Sequence, residues 1–330
     1  MRDEPSGEEV ISLLTGSTLA SDGSSRPVIA SNALERRYRS MKTEPLIWKW
    51  DGESIDLAMN WCGDGPTVLL LPALSSISTR HEMRPLQERL SAKFRTVCTD
   101  WPGFGDLRRP AVDWRPETYR SFLTFLIREH LPQLHGVVAA GHGATYALAH
   151  GCTHPDSFAR LVLLAPTWRG PLPTMMNGRR PIFDRICRAI DLPVVGSLLY
   201  GLNVNRFVIR HMAAGHVYSD RSWLHGERLH EKLAVTRPSG ARFSSVRFVT
   251  GKLDLLGTRA EFLDLARRSN IPMLMIYGTQ TPPRSRAEME ALATVPGVQS
   301  ICLPQGKLSI HEEFHHLVGD AIETFLADPR

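Results

Sequence analysis

What most restricts the fold of this chain is a rhythm that begins at Thr67. Short apolar runs alternate with stretches of helical periodicity: "TVLLLPA" (67–73), a helical pattern over 79–94, "RTVCTDW" (95–101), a helical pattern over 116–131, "GVVAAG" (136–141), a further helix, and "RLVLLAP" (160–166). Strands apolar on both faces and joined through helices imply parallel pairing, right-handed crossovers and helices on both sides of one sheet. Upstream, "EPLIWKWDGESIDLAMNW" (44–61) is two alternating segments about Asp51-Gly52, the pattern of a β-hairpin.

The rhythm breaks after Pro166. Between Thr167 and Gly251 no buried strand can be read, and helices are expected near 182–190, 194–214 and 221–235. The alternation then resumes with a helix near 259–268, "PMLMIYG" (272–278), a helix near 284–292, "QSICLP" (299–304) and a closing helix over 311–327. These boundaries predict an α/β core over 44–166 and 252–330, an inserted helical cap over 167–251, and an N-terminal extension, 1–43, with a linker-like "TGSTLASDGSSRP".

Composition narrows the function classes. Hydrophobic residues at 42% and charged residues at 22% suit a soluble globular protein, and 39 basic against 34 acidic residues, with no basic run, argue against nucleic acid as a partner. No window approaches ~18 uninterrupted apolar residues, so no membrane partner is expected. Five cysteines without a Cys-x-x-Cys pair, and an N-terminus lacking a signal-peptide core, point to a reducing cytoplasm. A homodimer remains open.

The stretch "VVAAGHGATYALAHG" (137–151) carries the strand-to-helix passage through Gly141-His142-Gly143. A sharp bend of this kind is where Gly-x-Ser-x-Gly presents a nucleophile at a helix start. That spacing puts Gly143 at the centre and Thr145 at the last glycine, so the turn is kept and its reactive side chain is missing.

With "GHGATYALAHGCTHPDSFARLVLLAP", "TDWPGFGDLRRP", "IPMLMIYGTQT" and "LPQGKLSIHEEF" in this order around a cap, the chain resembles the α/β-hydrolase superfamily over roughly 44–328. The resemblance implies the α/β-hydrolase fold, a mostly parallel sheet with an inserted helical cap, and a ligand between cap and sheet. It also implies an acid after the strand that follows the cap and a histidine after the last strand. The acid slot, 278–281, holds no carboxylate, and the position after Gly306 is Lys307. Nucleophile, base and acid depend on one another, so loss at three places argues against a Ser-His-acid mechanism.

Ser75, Asp100 and His311 are the candidates for a relocated catalytic role. Expected around the pocket are His142, Gly143 and Ala144 at the turn, Ala73, Leu74 and Ser76 after the first parallel strand, and Trp101, Trp168, Arg169, Thr281 and Lys307 at other strand ends. "HEEFH" (311–315) matches His-Glu-x-x-His, but it opens the last helix with no third ligand evident, so neither metal nor cofactor is expected. In the cap, His211, His216, Arg221, Trp223, His225 and Arg228 cluster as residues of a solvated lid do. The leading expectation is an enzyme that binds a small, partly apolar molecule between cap and core and catalyses a non-serine reaction, of lyase, isomerase or cyclase type or hydrolysis by relocated residues; a catalytically silent binder of such a molecule and a conventional hydrolase with a displaced nucleophile are the alternatives.

Overall fold

A computed structural model describes residues 41–328 and resolves the alternation into an eight-stranded sheet of order β1-β2-β4-β3-β5-β6-β7-β8. β1 (Lys42–Trp50) and β2 (Glu53–Cys62) form the expected hairpin, and Asp51 (φ 53°) and Gly52 (φ 80°) both adopt the left-handed conformation that a two-residue turn of this twist requires. β2 joins antiparallel to β4 (Arg95–Thr99). Pairing is parallel from there across β3 (Thr67–Leu71), β5 (Leu134–Ala140), β6 (Phe158–Leu164), β7 (Met273–Gly278) and β8 (Val298–Leu303). β6 and β7 are buried almost throughout because helices cover both faces, which is why their sequences read as unbroken apolar runs.

The core helices are α1 (Arg84–Leu90), α2 (Pro116–Phe125) and α3 (Gly143–Thr153). An insertion follows β6: α4 (Pro171–Met175), α5 (Ile182–Asp191), α6 (Pro193–Asn203), α7 (Arg206–Met212), α8 (Gly226–Val235) and α9 (Ala241–Val249). The core then resumes with α10 (Arg259–Arg268), α11 (Pro283–Ala293), α12 (Ile310–Glu313) and α13 (His315–Ala327).

Four details depart from the sequence pattern. The single helix expected over 194–214 is two, because the Asn205 side chain accepts hydrogen bonds from the Phe207 and Val208 N–H groups (3.0 and 3.1 Å) and starts a new helix there. The helix expected from Arg221 begins at Gly226, and α9 arises where no helix is predicted, its inward face being mostly small residues such as Ala241, Ser244 and Ser245. The closing helix is interrupted at Phe314 (φ −118°, ψ 33°). Most of the expected N-terminal extension lies outside the described residues, and β1 already begins at Lys42. No described helix is long and apolar enough to cross a membrane.

Candidate functional site

The sharp bend after β5 falls at Gly141, two residues earlier than the Gly-x-Ser-x-Gly spacing predicts. Gly141 is the left-handed residue of the turn (φ 52°); its N–H donates to the Leu164 carbonyl (2.9 Å), and its own carbonyl accepts from Thr167 (3.0 Å). Gly143 is the first residue of α3 and serves packing instead. A Cβ there would stand 2.9 Å from the Pro72 carbonyl oxygen and 3.0 Å from Trp101 Nε1. Ala139, Ala140, Gly141, His142 and Gly143 thus form the small-x-centre-x-small set, and the centre carries no side chain.

Gly141 borders a chamber of about 540 Å³. The core contributes Ala73, Leu74, Ser75 and Ser78 after β3 and His142 after the bend, while the insertion contributes Met175, Met212, Val217, Tyr218 and Lys232. Thr167 and Arg169 after β6, and Leu308 and Ser309 after β8, complete much of the wall, which is mostly apolar. Arg169 also stacks over the Trp168 ring (4.3 Å) and lies 3.8 Å from Glu288, which accepts from the Trp168 indole N–H (3.1 Å). Trp101, Trp168 and Ala144 are buried, and Trp101 donates to the Pro72 carbonyl (2.9 Å).

Of the three residues expected to carry chemistry, Ser75 alone borders the chamber; its Oγ accepts weakly from the Ile77 N–H (3.5 Å). Asp100 is held by Arg80, whose backbone N–H (2.7 Å) and guanidinium both donate to its carboxylate, and a Cβ at Gly105 would collide with it. This aspartate fixes two loops. His311 is fully buried behind Glu82 (Nε2 to Oε1, 3.4 Å). Thr281, in the acid slot, is buried with its Oγ1 unpartnered among the described residues, and Lys307 Nζ donates to the Ala214 carbonyl (2.6 Å), joining the insertion. The buried Ser76 Oγ likewise lacks a partner among the described residues.

Sequence spacing misses the charged cluster at the chamber's edge. Lys232, from α8, donates to Glu82 (3.0 Å) in the turn before α1 and to Glu312 (3.1 Å) in α12; Tyr218 donates to the same Glu312 oxygen (2.8 Å). Glu82 also accepts the Ala73 N–H (2.9 Å). Burial opposes the charge on Glu82, yet Lys232, His311 and the Ala73 N–H hold its carboxyl down at about 2. Burial likewise opposes the Lys232 ammonium, and Glu312, Tyr218 and Glu82 together keep it well above the ordinary lysine value. Glu82, His311 and Glu312 present a nitrogen and two carboxylates within 4.8 Å of one another, a metal-like donor set, but the Lys232 ammonium already satisfies both carboxylates. The His-Glu-x-x-His pattern does not form a ligand pair either: the break at Phe314 separates His311 from His315, which turns to the Glu312 carbonyl (3.2 Å).

Asp254, after α9, is a second group without a sequence signal. It accepts the Gly170 N–H (2.8 Å) and lies 3.6 Å from His142 Nε2, which also faces the Leu253 carbonyl (3.2 Å). Burial pushes the Asp254 carboxyl up to about 7 and the His142 imidazole down to about 4. Around pH 7 this contact therefore joins a neutral imidazole to a carboxyl near its midpoint.

The strand order, the bend after β5 and the insertion after β6 agree with a match of residues 68–321 to the model of the alpha/beta hydrolase family. The chain belongs to the α/β-hydrolase family. Solved structures of similar fold cover 86–88% of it. The epoxide hydrolase CorEH aligns at TM-score 0.66 and 17% identity, covering 88% of this chain and 100% of that one. CarC, a serine hydrolase involved in carbazole degradation, aligns at 0.65 and 14%, covering 87% and 99%. An esterase from Thermogutta terrifontis aligns at 0.64 and 22%, covering 86% and 98%. At these low identities the likeness is one of fold alone. No curated protein sequence matches the chain.

Proposed function

We propose that this α/β-hydrolase-fold protein has lost Ser-His-acid catalysis and binds a small, predominantly apolar molecule in the chamber between its helical cap and the sheet. The observation that carries this reading is Gly141: a residue without a side chain stands at the bend, facing the chamber. Thr281 and Lys307 stand where acid and base would be needed, and neither can orient or accept a proton as a carboxylate and an imidazole do. Apolar walls favour a ligand driven in by the hydrophobic effect. Asp100 and His311 are engaged elsewhere, which favours binding over non-serine chemistry.

The test is reconstruction. Gly141→Ser should give no turnover of p-nitrophenyl butyrate above the parent protein, and the parent should resist a fluorophosphonate probe. Ester hydrolysis by the variant would show that a base and acid are in place. A second reading, a hydrolase with Ser75 as displaced nucleophile, is favoured by that residue's place on the chamber wall. Fluorophosphonate labelling abolished by Ser75→Ala would establish it and overturn the first.

A further inference from the structure

Most of the large apolar side chains left exposed among the described residues fall between Met175 and Met212, within the insertion. α6 exposes Val194 (81%), Leu198 (65%) and Leu202 at i, i+4, i+8 spacing, while its other face packs through Leu199 and Tyr200 onto Cys187, Ile190 and Val246. α7 continues the pattern with Phe207 (71%), Val208 and Met212. A helix apolar on both faces is ordinarily covered on both.

The charge of this segment is one-sided. Residues 175–212 contain six arginines (179, 180, 185, 188, 206 and 210), two aspartates, and neither lysine nor glutamate. Both aspartates are neutralised by cations from α9 and its following turn: Asp191 by Arg247 (2.9 Å) and Asp184 by Lys252 (2.6 Å). None of the six arginines pairs with a carboxylate side chain among the described residues. The apolar face also reaches the chamber, since Met175 and Met212 are at once exposed and part of its wall.

We infer that α6 and α7 dock this protein on an anionic lipid surface, the apolar stripes entering the headgroup boundary and the arginines meeting lipid phosphates. Such a segment lies in the interface and needs no spanning helix, so the lack of a long apolar window in the sequence does not bear on it. Apolar burial and Coulomb attraction act together there. A second copy of the chain is the poorer occupant: a two-fold contact would set this arginine-rich face against itself. The docking stands on the surface alone and does not rest on what fills the chamber, though Met175 and Met212 would give an apolar molecule a path from lipid into it.

The experiment uses the full chain and sedimentation with large vesicles of phosphatidylcholine, with and without about 30% phosphatidylglycerol. The parent should sediment with the anionic vesicles at about 0.1 M salt, and its partition should fall at least about tenfold at about 0.5 M. Val194→Glu combined with Leu198→Glu, and separately Arg185→Glu combined with Arg188→Glu, should each lower partition at least about tenfold without changing the thermal unfolding midpoint. Absence of sedimentation with anionic vesicles, or partition unaffected by both variants, overturns the inference. So does light scattering that shows a dimer which Val194→Glu/Leu198→Glu converts to monomer, or vesicle binding that appears only after residues 1–40 are removed.

Discussion

Replacing Lys232 by Met tests how the insertion is tied to the core. The substitution keeps much of the side-chain volume and removes the ammonium, leaving Glu82 (side chain 1% exposed) and Glu312 (13%) facing each other without a cation. Removing one partner of a buried ion pair typically costs ~3–5 kcal/mol, because the remaining charge stays desolvated and unpaired. The Glu82 carboxyl points the same way: burial opposes its charge, yet Lys232, His311 and the Ala73 N–H together outweigh burial and hold it well below the ordinary 4.5, a net stabilisation of the folded state. That stabilisation is fully present above pH 4.5 and is lost as pH falls through 4.5 toward about 2. Lys232→Met should therefore cost about 3 kcal/mol in urea denaturation at pH 7, and the deficit should shrink steadily toward pH 4 as the stranded carboxylates take up protons. In a Glu82→Gln background the same substitution should cost at least ~1.5 kcal/mol less. A loss below about 1 kcal/mol at pH 7, or one independent of pH, would refute the view that this cluster is an ion pair holding insertion and core together.

The other expectations follow from particular contacts. Asp254, with its carboxyl raised from 3.8 to about 7, keeps its proton where the unfolded chain has lost it; stability should fall as pH rises through that window, by on the order of 4 kcal/mol, and level off above it. Asp254→Asn keeps an oxygen for the Gly170 N–H and should flatten this slope in denaturation curves measured across pH 4 to 8. Gly143→Ala should destabilise by roughly 1–3 kcal/mol, since the new Cβ must displace the Pro72 carbonyl or Trp101; Gly201→Ala, in α6 with open space around it, should be neutral or stabilising by up to ~1 kcal/mol. Equal midpoint shifts for these two glycines would show that crowding at the head of α3 is overstated. Gly141→Ser should remain without esterase activity, and anionic vesicles should retain the parent protein but not its Val194→Glu/Leu198→Glu variant.

The sheet was legible because parallel strands buried on both faces leave unbroken apolar runs, and the insertion was legible because those runs stop between Pro166 and Pro272. The sequence marks the bend but not which glycine is its centre. Gly141 and Gly143 flank His142 symmetrically in sequence, and only the left-handed φ of Gly141 and the crowding at Gly143 tell them apart. Glu82, Lys232 and Glu312 were out of reach for a different reason: their separations along the chain follow no local period, and a lysine at the end of "GERLHEK" looks like any solvated helix residue. The apolar stripe of α6 carries no signal in the sequence, because exposure rather than hydrophobicity gives it meaning, and exposure is a property of the assembled insertion.

The spacing of that ion cluster has a further consequence during protein synthesis. Lys232 lies 150 residues after one of its carboxylates and 80 before the other. A ribosome that has released the insertion has therefore delivered an ammonium with half of its counter-charge, and the joint closes only once residue 312 has emerged. The chamber is thus a late-maturing part of the molecule, its edge completed only after all eight strands have been made, and nascent chains halted between these points would expose its unfinished wall to chaperones and proteases.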